Sequence, residues 1–223
     1  PPPPSTPSAK RRAVRPRRCG CCLAPRRAAA DAWIDLLYIA GADLNQPELT
    51  RAYSLAADDA VLRSGNDPLQ RARVDATIFG AQIRLGTPDL AAGQHALDYF
   101  QADPDADPNL HHSLLNGLAV VHRERREFAE ARGLYERARA LGHSHYGADH
   151  PSNGAVLSNL AVLAIDEDRL DDARRFADQA AAVRRVLPAN HLDHADTEEC
   201  YAAIAAARHD HLRAADHYRR ALA

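Results

Sequence analysis

Methionine is absent, tryptophan occurs once, and all aromatic residues together make up only 5% of this 223-residue chain. Sheet proteins draw their cores from aromatic and β-branched side chains, so this shortage turns the reading away from β-sandwiches and barrels. Hydrophobic residues still reach 46%, most of them alanine and leucine, and such small or unbranched side chains suit closely packed helices. No stretch approaches 18 consecutive apolar residues, so no membrane-spanning helix is expected in this chain. Cysteine is scarce as well. Cys19, Cys21 and Cys22 crowd one short segment and Cys200 stands alone, which is no disulfide framework and points to a reducing, cytoplasmic setting. Cys19 and Cys22 are spaced as C-x₂-C but lack the second ligand pair that a closed metal site needs. A start of four prolines without an initiator methionine is expected of a fragment or a processed product.

The signatures of catalysis are missing too. There is no GxxxxGK[ST] or GxGxxG loop to cradle phosphates, no GxSxG elbow and no HExxH zinc helix, and no spacing of Ser, His and Asp selects a triad. A non-enzymatic protein without a cofactor is the expectation. Charge is present in both signs but unevenly. Eight of the 28 basic residues and none of the 30 acidic ones fall in residues 1–30, leaving 20 bases against 30 acids in the rest. A basic, proline-rich arm therefore precedes an acidic body. The arm holds seven of the fourteen prolines and no hydrophobic period, so residues 1–30 read as an extended or disordered linker. The acidic body argues against nucleic acid as its ligand, because phosphate contacts need clustered cations.

What the chain does contain is a repeat. Residues 115–120, LNGLAV, return as LSNLAV at 157–162, an offset of 42. The same offset carries Phe128 to Leu170, Ala131 to Ala173 and Ala138 to Ala180, and a further step of 41 carries Leu160 to Tyr201, Ala173 to Ala214 and Ala180 to Ala221. A period of this length means a stacked array. Apolar and small residues recur at three and four within each unit, which predicts two amphipathic helices per repeat. The first are expected over 109–126, 151–167 and 192–208, the second over 127–141, 169–187 and 210–222. Pro108, Gly142, Pro151 and Pro188 punctuate the joints.

Leu118, Ala119, Phe128, Ala131, Tyr135 and Ala138 stand at spacings that resemble the tetratricopeptide repeat: a large-small pair, then an aromatic and a small residue, then the same again. Its A-x₃-F element is matched by Ala131–Tyr135 and Ala214–Tyr218, with Tyr for Phe. The long period and the linker at 147–151, GADHP, resemble the kinesin-light-chain type of this repeat, common in bacterial multidomain proteins. The resemblance implies an all-α, right-handed α-α solenoid, with a degenerate first repeat at 31–63 and further repeats at 68–102, 109–141, 151–187 and 192–222. In the 68–102 unit the two helices match only with a one-residue slip between them. Ala177 stands where Tyr135 does one repeat earlier.

Twelve histidines raise a metal question. The pairs His143/His145, His191/His194 and His209/His211 all fall near helix ends, and a site needs three or four converging ligands. The residues from His143 to His150 read as a connector between repeats, with solvated imidazoles; metal binding by inter-repeat histidines is the alternative function. Residues 103–108, DPDADP, alternate acids like a calcium loop but put Pro108 and Leu114 where such a loop wants Gly and Glu, so they read as a turn.

In the resembled family the first helix of each pair lines the concave side. That places Ser113, Asn116, Val120, Arg123 and Glu124 from one repeat on the inner wall. Ala155, Ser158, Val162, Ile165 and Asp166 follow from the next, and Asp196, Glu199, Ala203, Ala206 and Ala207 from the last. This mixed groove has an apolar floor and a mostly acidic edge, which suits a peptide segment of a partner protein carrying apolar anchors and a basic residue. Arg123 is its single cation. The last helix lacks a polar cap, and is expected either to continue the array or to pair with a second copy.

Overall fold

The computed structural model describes residues 20–43, 46–103, 106–188 and 191–222. Residues 1–19, with Cys19, lie outside this set, as do Pro104 and Asp105 of the acidic turn and Asn190 of the last connector. Helix accounts for 84% of the chain and no strand occurs among the described residues, so the all-α expectation holds. Among the described residues ten α-helices follow one another: α1 Gly20–Tyr38, α2 Pro47–Ser64, α3 Pro68–Arg84, α4 Leu90–Ala102, α5 Pro108–Glu124, α6 Phe128–Tyr146, α7 Gly154–Asp166, α8 Leu170–Arg184, α9 Leu192–Ala207 and α10 His211–Ala221. A π turn, Ile39–Asp43, extends α1, and a 3₁₀ turn, Pro151–Asn153, leads into α7.

Consecutive helices pair as five hairpins, and the hairpins stack. Each second helix packs on the next hairpin's first helix, and first helices also touch each other along the stack, least of all α5 and α7. Helix starts carry the expected signals. Asp67, Asp89, Asp107 and Asp210 are N-caps whose carboxylates accept backbone N–H groups of the first turn, each worth about 1 kcal/mol. His150 and His191 cap with an imidazole instead: Nδ1 accepts the N–H of Ser152 and of Asp193, each at 3.2 Å. Two of the connector histidines are therefore helix caps, one repeat apart.

The turn inside each of the last four hairpins is the same. Gly86, Arg126, Asp168 and His209 take left-handed backbone conformations, with φ of 71°, 63°, 60° and 63°. The N–H of each bonds to the carbonyl three residues earlier, and the following N–H reaches back five residues, as in Glu127 to His122 at 2.9 Å and Arg169 to Ala164 at 2.8 Å. These two bonds satisfy carbonyls that a helix end would leave orphaned.

Small residues and large ones divide the packing as the spacing predicts. Ala119, Ala131, Ala138, Ala173, Ala177 and Ala180 are fully buried, and Phe79, Phe100, Leu115, Leu118 and Tyr135 fill the space between them. Where Ala177 replaces a tyrosine, the neighbouring Phe176 supplies the bulk. It packs against three apolar clusters, joining the third hairpin to the last two.

Two boundaries differ from the sequence reading. Helix α1 begins at Gly20, so residues 20–30, assigned above to the arm, are helical. The body's acids hold them: Arg27 pairs with Asp67 at 2.8 Å, and the buried Gln70 amide donates to the Arg27 carbonyl at 2.9 Å and to Asp31 at 3.0 Å. Ala30, Ile34 and Leu37 then bury an apolar stripe. At the other boundary, α6 runs on to Tyr146, which puts His143 and His145 on a helix rather than in a connector. Gly142 does not end that helix. It is a buried contact where an added Cβ would stand 2.2 Å from Asn153 Oδ1 and 3.1 Å from His112 Nε2.

Candidate functional site

The first helices of the hairpins enclose three adjoining hollows. One, of about 540 Å³, lies between α3 and α5 and is lined by Phe79, Ile83 and Arg84 of α3, Leu110, Ser113, Asn116 and Val120 of α5, and Tyr38, Tyr146, Ser152 and Ala155 from neighbouring elements. A second, of about 450 Å³, lies between α7 and α9 and is lined by Ser158, Asn159, Val162, Asp196, Glu199, Cys200, Ala203 and Tyr218. Ala155 lines both, so they form one groove. A third, of about 190 Å³, continues the groove toward α1 and shares Tyr38, Thr77, Asn109, Leu110 and Ser113 with the first. A further hollow of about 740 Å³, between α2 and the end of α3, shares no residue with these.

Nine of the expected residues line this groove: Ala155 at its middle, Ser113, Asn116 and Val120 on one side of it, and Ser158, Val162, Asp196, Glu199 and Ala203 on the other. Four do not. Arg123 and Asp166 face each other across the α5–α7 joint at 3.7 Å, Glu124 is exposed at the end of α5, and Ile165 packs against a cluster with Ala161, Ala164 and Cys200. Their positions, late in each first helix, lie beyond where the hollows reach. Ala206 and Ala207 line none of the hollows either.

Ser158 contributes a wall rather than a free hydroxyl. It is buried, and its Oγ accepts from Arg184 Nη1 at 2.8 Å. Arg184 is itself fully buried under the groove, where Nη1 also donates to Thr197 at 2.7 Å and Nη2 to Asp196 at 3.3 Å. Burial raises the Asp196 carboxyl above the ordinary range, with Arg184 pulling it back and Asp193 pushing it further up. Burial likewise raises the Cys200 thiol and keeps the His112 imidazole below its ordinary value, helped by His111 and His145.

At the seam between the two larger hollows, Asn159 Nδ2 donates to Asn116 Oδ1 at 2.9 Å. The bond leaves the Asn116 NH2 group and the Asn159 amide oxygen without partners among the described residues, a donor and an acceptor such as a peptide unit could meet. Sequence reasoning missed Arg84, Tyr38, Phe79, Ile83 and Tyr146. The first four belong to hairpins whose phase is blurred, and Tyr146 lies on the extension of α6. Among the described residues no three His, Cys, Asp or Glu side chains come together to hold a metal. Nor is any described helix long and apolar enough to cross a membrane.

Residues 110–185 match the tetratricopeptide-repeat family. This region of the chain is a tetratricopeptide-repeat array. No curated protein matches the chain. Among solved structures, the crystal structure of BtubC (BKLC) from P. vanneervenii superposes with a TM-score of 0.58 over 90% of this chain and 88% of its own, at 18% identity. At that identity the likeness is one of fold, and it extends the helical-hairpin repeat beyond residues 110–185. Tetratricopeptide repeats generally mediate protein–protein interaction.

Proposed function

We propose that this protein is a non-catalytic, cytoplasmic scaffold that holds an extended segment of a partner protein in the groove along α3, α5, α7 and α9, possessing the character of a bacterial regulatory module. The observation that carries this reading is the continuity of the hollows through Ala155, lined by apolar side chains and edged by polar ones. Val120, Ile83 and Phe79 offer an apolar seat for an anchor side chain, and the Asn116–Asn159 pair offers a main-chain partner at the seam. Ala155 is exposed, so Ala155→Arg fills the groove without disturbing the core. The test is capture of partners from a lysate of the source organism by the full chain and by this variant. A partner lost with Ala155→Arg supports the groove; one retained equally by both places binding elsewhere.

Self-association through α10 is the second reading. Leu212 and Leu222 are 82% and 89% exposed there, more than a lone surface leucine requires. Sedimentation of the full chain beside Leu212→Glu/Leu222→Glu checks it: a dimer that survives both changes removes α10 as the contact.

A further inference from the structure

Each joint of the stack sets the second helix of one hairpin against the first helix of the next. At the α6–α7 joint Tyr135 is fully buried in one cluster with Val156, Leu160 and Leu163 of α7, and Arg132 pairs with Glu167 just past α7. At the α8–α9 joint the residue 42 positions after Tyr135 is Ala177, fully buried with Cys200 and Ile204. Arg174, which stands where Arg132 does, lies over the Tyr201 ring at 4.6 Å. A further 41 positions on, these two places hold Tyr218 and Ala215 of α10. Tyr218 is 48% exposed and Leu222, one turn later, 89%. No described element covers this face. Leu212 does not belong to it: its counterparts Ala129 and Asp171 are exposed at both earlier joints.

The other half of such a joint lies on α1. That helix turns Ala30, Ile34 and Leu37 toward α2 and α3. Its opposite side shows Ala28, Ala32, Leu36 and, in the π turn, Ile39, all exposed. They recur at four, four and three, an uncharged stripe about three turns long. A single exposed leucine is ordinary; a continuous apolar stripe marks a contact surface.

We infer that copies of this chain associate head to tail: Ala215, Tyr218 and Leu222 of α10 in one copy pack on Ala28, Ala32, Leu36 and Ile39 of α1 in the next. This rests on the reading of self-association through α10 and supplies its counter-surface. A second copy is the occupant because the chain carries both halves of a joint it already makes at α2–α3, α4–α5, α6–α7 and α8–α9, and because both stripes are uncharged. The two surfaces differ, so the contact is heterologous and either propagates or closes a ring. Tyr218 and Ala203 line the α7–α9 hollow and Tyr38 lines the hollows at the α1 end, so the groove runs on from one copy into the next.

Two half-blocked chains test this, Ala32→Glu/Leu36→Glu and Tyr218→Glu/Leu222→Glu. All four positions are exposed, so the core is kept, and circular dichroism checks each chain. Sedimentation velocity of the full chain is run from micromolar to about 0.5 mM, the range of small interfaces. The unaltered chain should sediment faster as concentration rises. Each half-blocked chain alone should associate at least about ten-fold more weakly, since a carboxylate in an apolar contact is costly. Their equimolar mixture should form a one-to-one pair and stop there, because one intact α1 and one intact α10 remain. If Ala32→Glu/Leu36→Glu associates as the unaltered chain does and the mixture forms no pair, α10 meets itself: self-association stands and the head-to-tail joint falls. If Tyr218→Glu/Leu222→Glu also associates undiminished, or the unaltered chain stays monomeric throughout, both fall.

Discussion

The left-handed turns inside the hairpins give a sharp test, because four positions of one geometry carry four different residues. Gly86 and Gly133 both have open space where a Cβ would go, with nothing within 4 Å, but only Gly86 has a positive φ, of 71°. Alanine at Gly133, on the exposed face of α6, meets no obstacle and gains helix propensity, stabilising by about 0.5–1 kcal/mol. Alanine at Gly86 meets no obstacle either, but places a Cβ in the left-handed region at about 1–2 kcal/mol. Part of that is returned by the lower entropy of the unfolded chain, leaving a net loss of about 1 kcal/mol. Asp168 has φ of 60° and no side-chain bond among the described residues, so Asp168→Gly should relieve strain and stabilise by up to about 1 kcal/mol. Urea denaturation followed by helical circular dichroism reads all three as shifts of the midpoint at constant slope. The reasoning fails if Gly86→Ala stabilises as Gly133→Ala does, since space is equal at the two sites and backbone conformation alone separates them.

Three further outcomes follow from the packing. Gly142→Ala should destabilise by about 1–3 kcal/mol, because its Cβ would stand 2.2 Å from Asn153 Oδ1; denaturant midpoints check this, and an unchanged midpoint refutes the contact. Arg184→Ala should cost about 1–3 kcal/mol by leaving the buried Ser158 and Thr197 hydroxyls without their shared partner beneath the groove. Thermal unfolding measures it, and a loss below about 1 kcal/mol would mean that the cluster is not closed. Burial holds His112 below its ordinary value of 6.5. The unfolded chain therefore takes up a proton first as pH falls, and stability should decline below about pH 6.5 and be level in this respect above it. His112→Gln should flatten that decline in urea titrations run from pH 7.5 to 5; an unaltered profile assigns it to other groups.

Much of the fold was legible because repeat packing is local and periodic. Leu118-Ala119 and Leu160-Ala161 fix the phase of α5 and α7, and Ala131, Ala138, Ala173 and Ala180 fix the phase of their partners, through contacts that recur at a constant offset. What escaped depends on pairs far apart in sequence. Gly142 reads as a helix stop, yet it is small because Asn153 and His112 crowd it, and α6 continues past it. Gly41 carries no local signal of its role, yet it brings a carbonyl to Arg84 across the first joint. Of the residues expected on the inner wall, Ser113, Asn116, Val120 and Val162, where the repeat is sharp, line the hollows. Arg123, Glu124, Ile165 and Asp166 line none of the three hollows, Arg123 and Asp166 being turned to each other and Ile165 to the core.

The thin contact between α5 and α7 has a mechanical meaning. On the groove side the third and fourth hairpins meet mainly through the Asn116–Asn159 amides and the Arg123–Asp166 pair, while behind them α6 packs on α7. A guest occupying both main hollows would lie across this seam and bear on both hairpins at once.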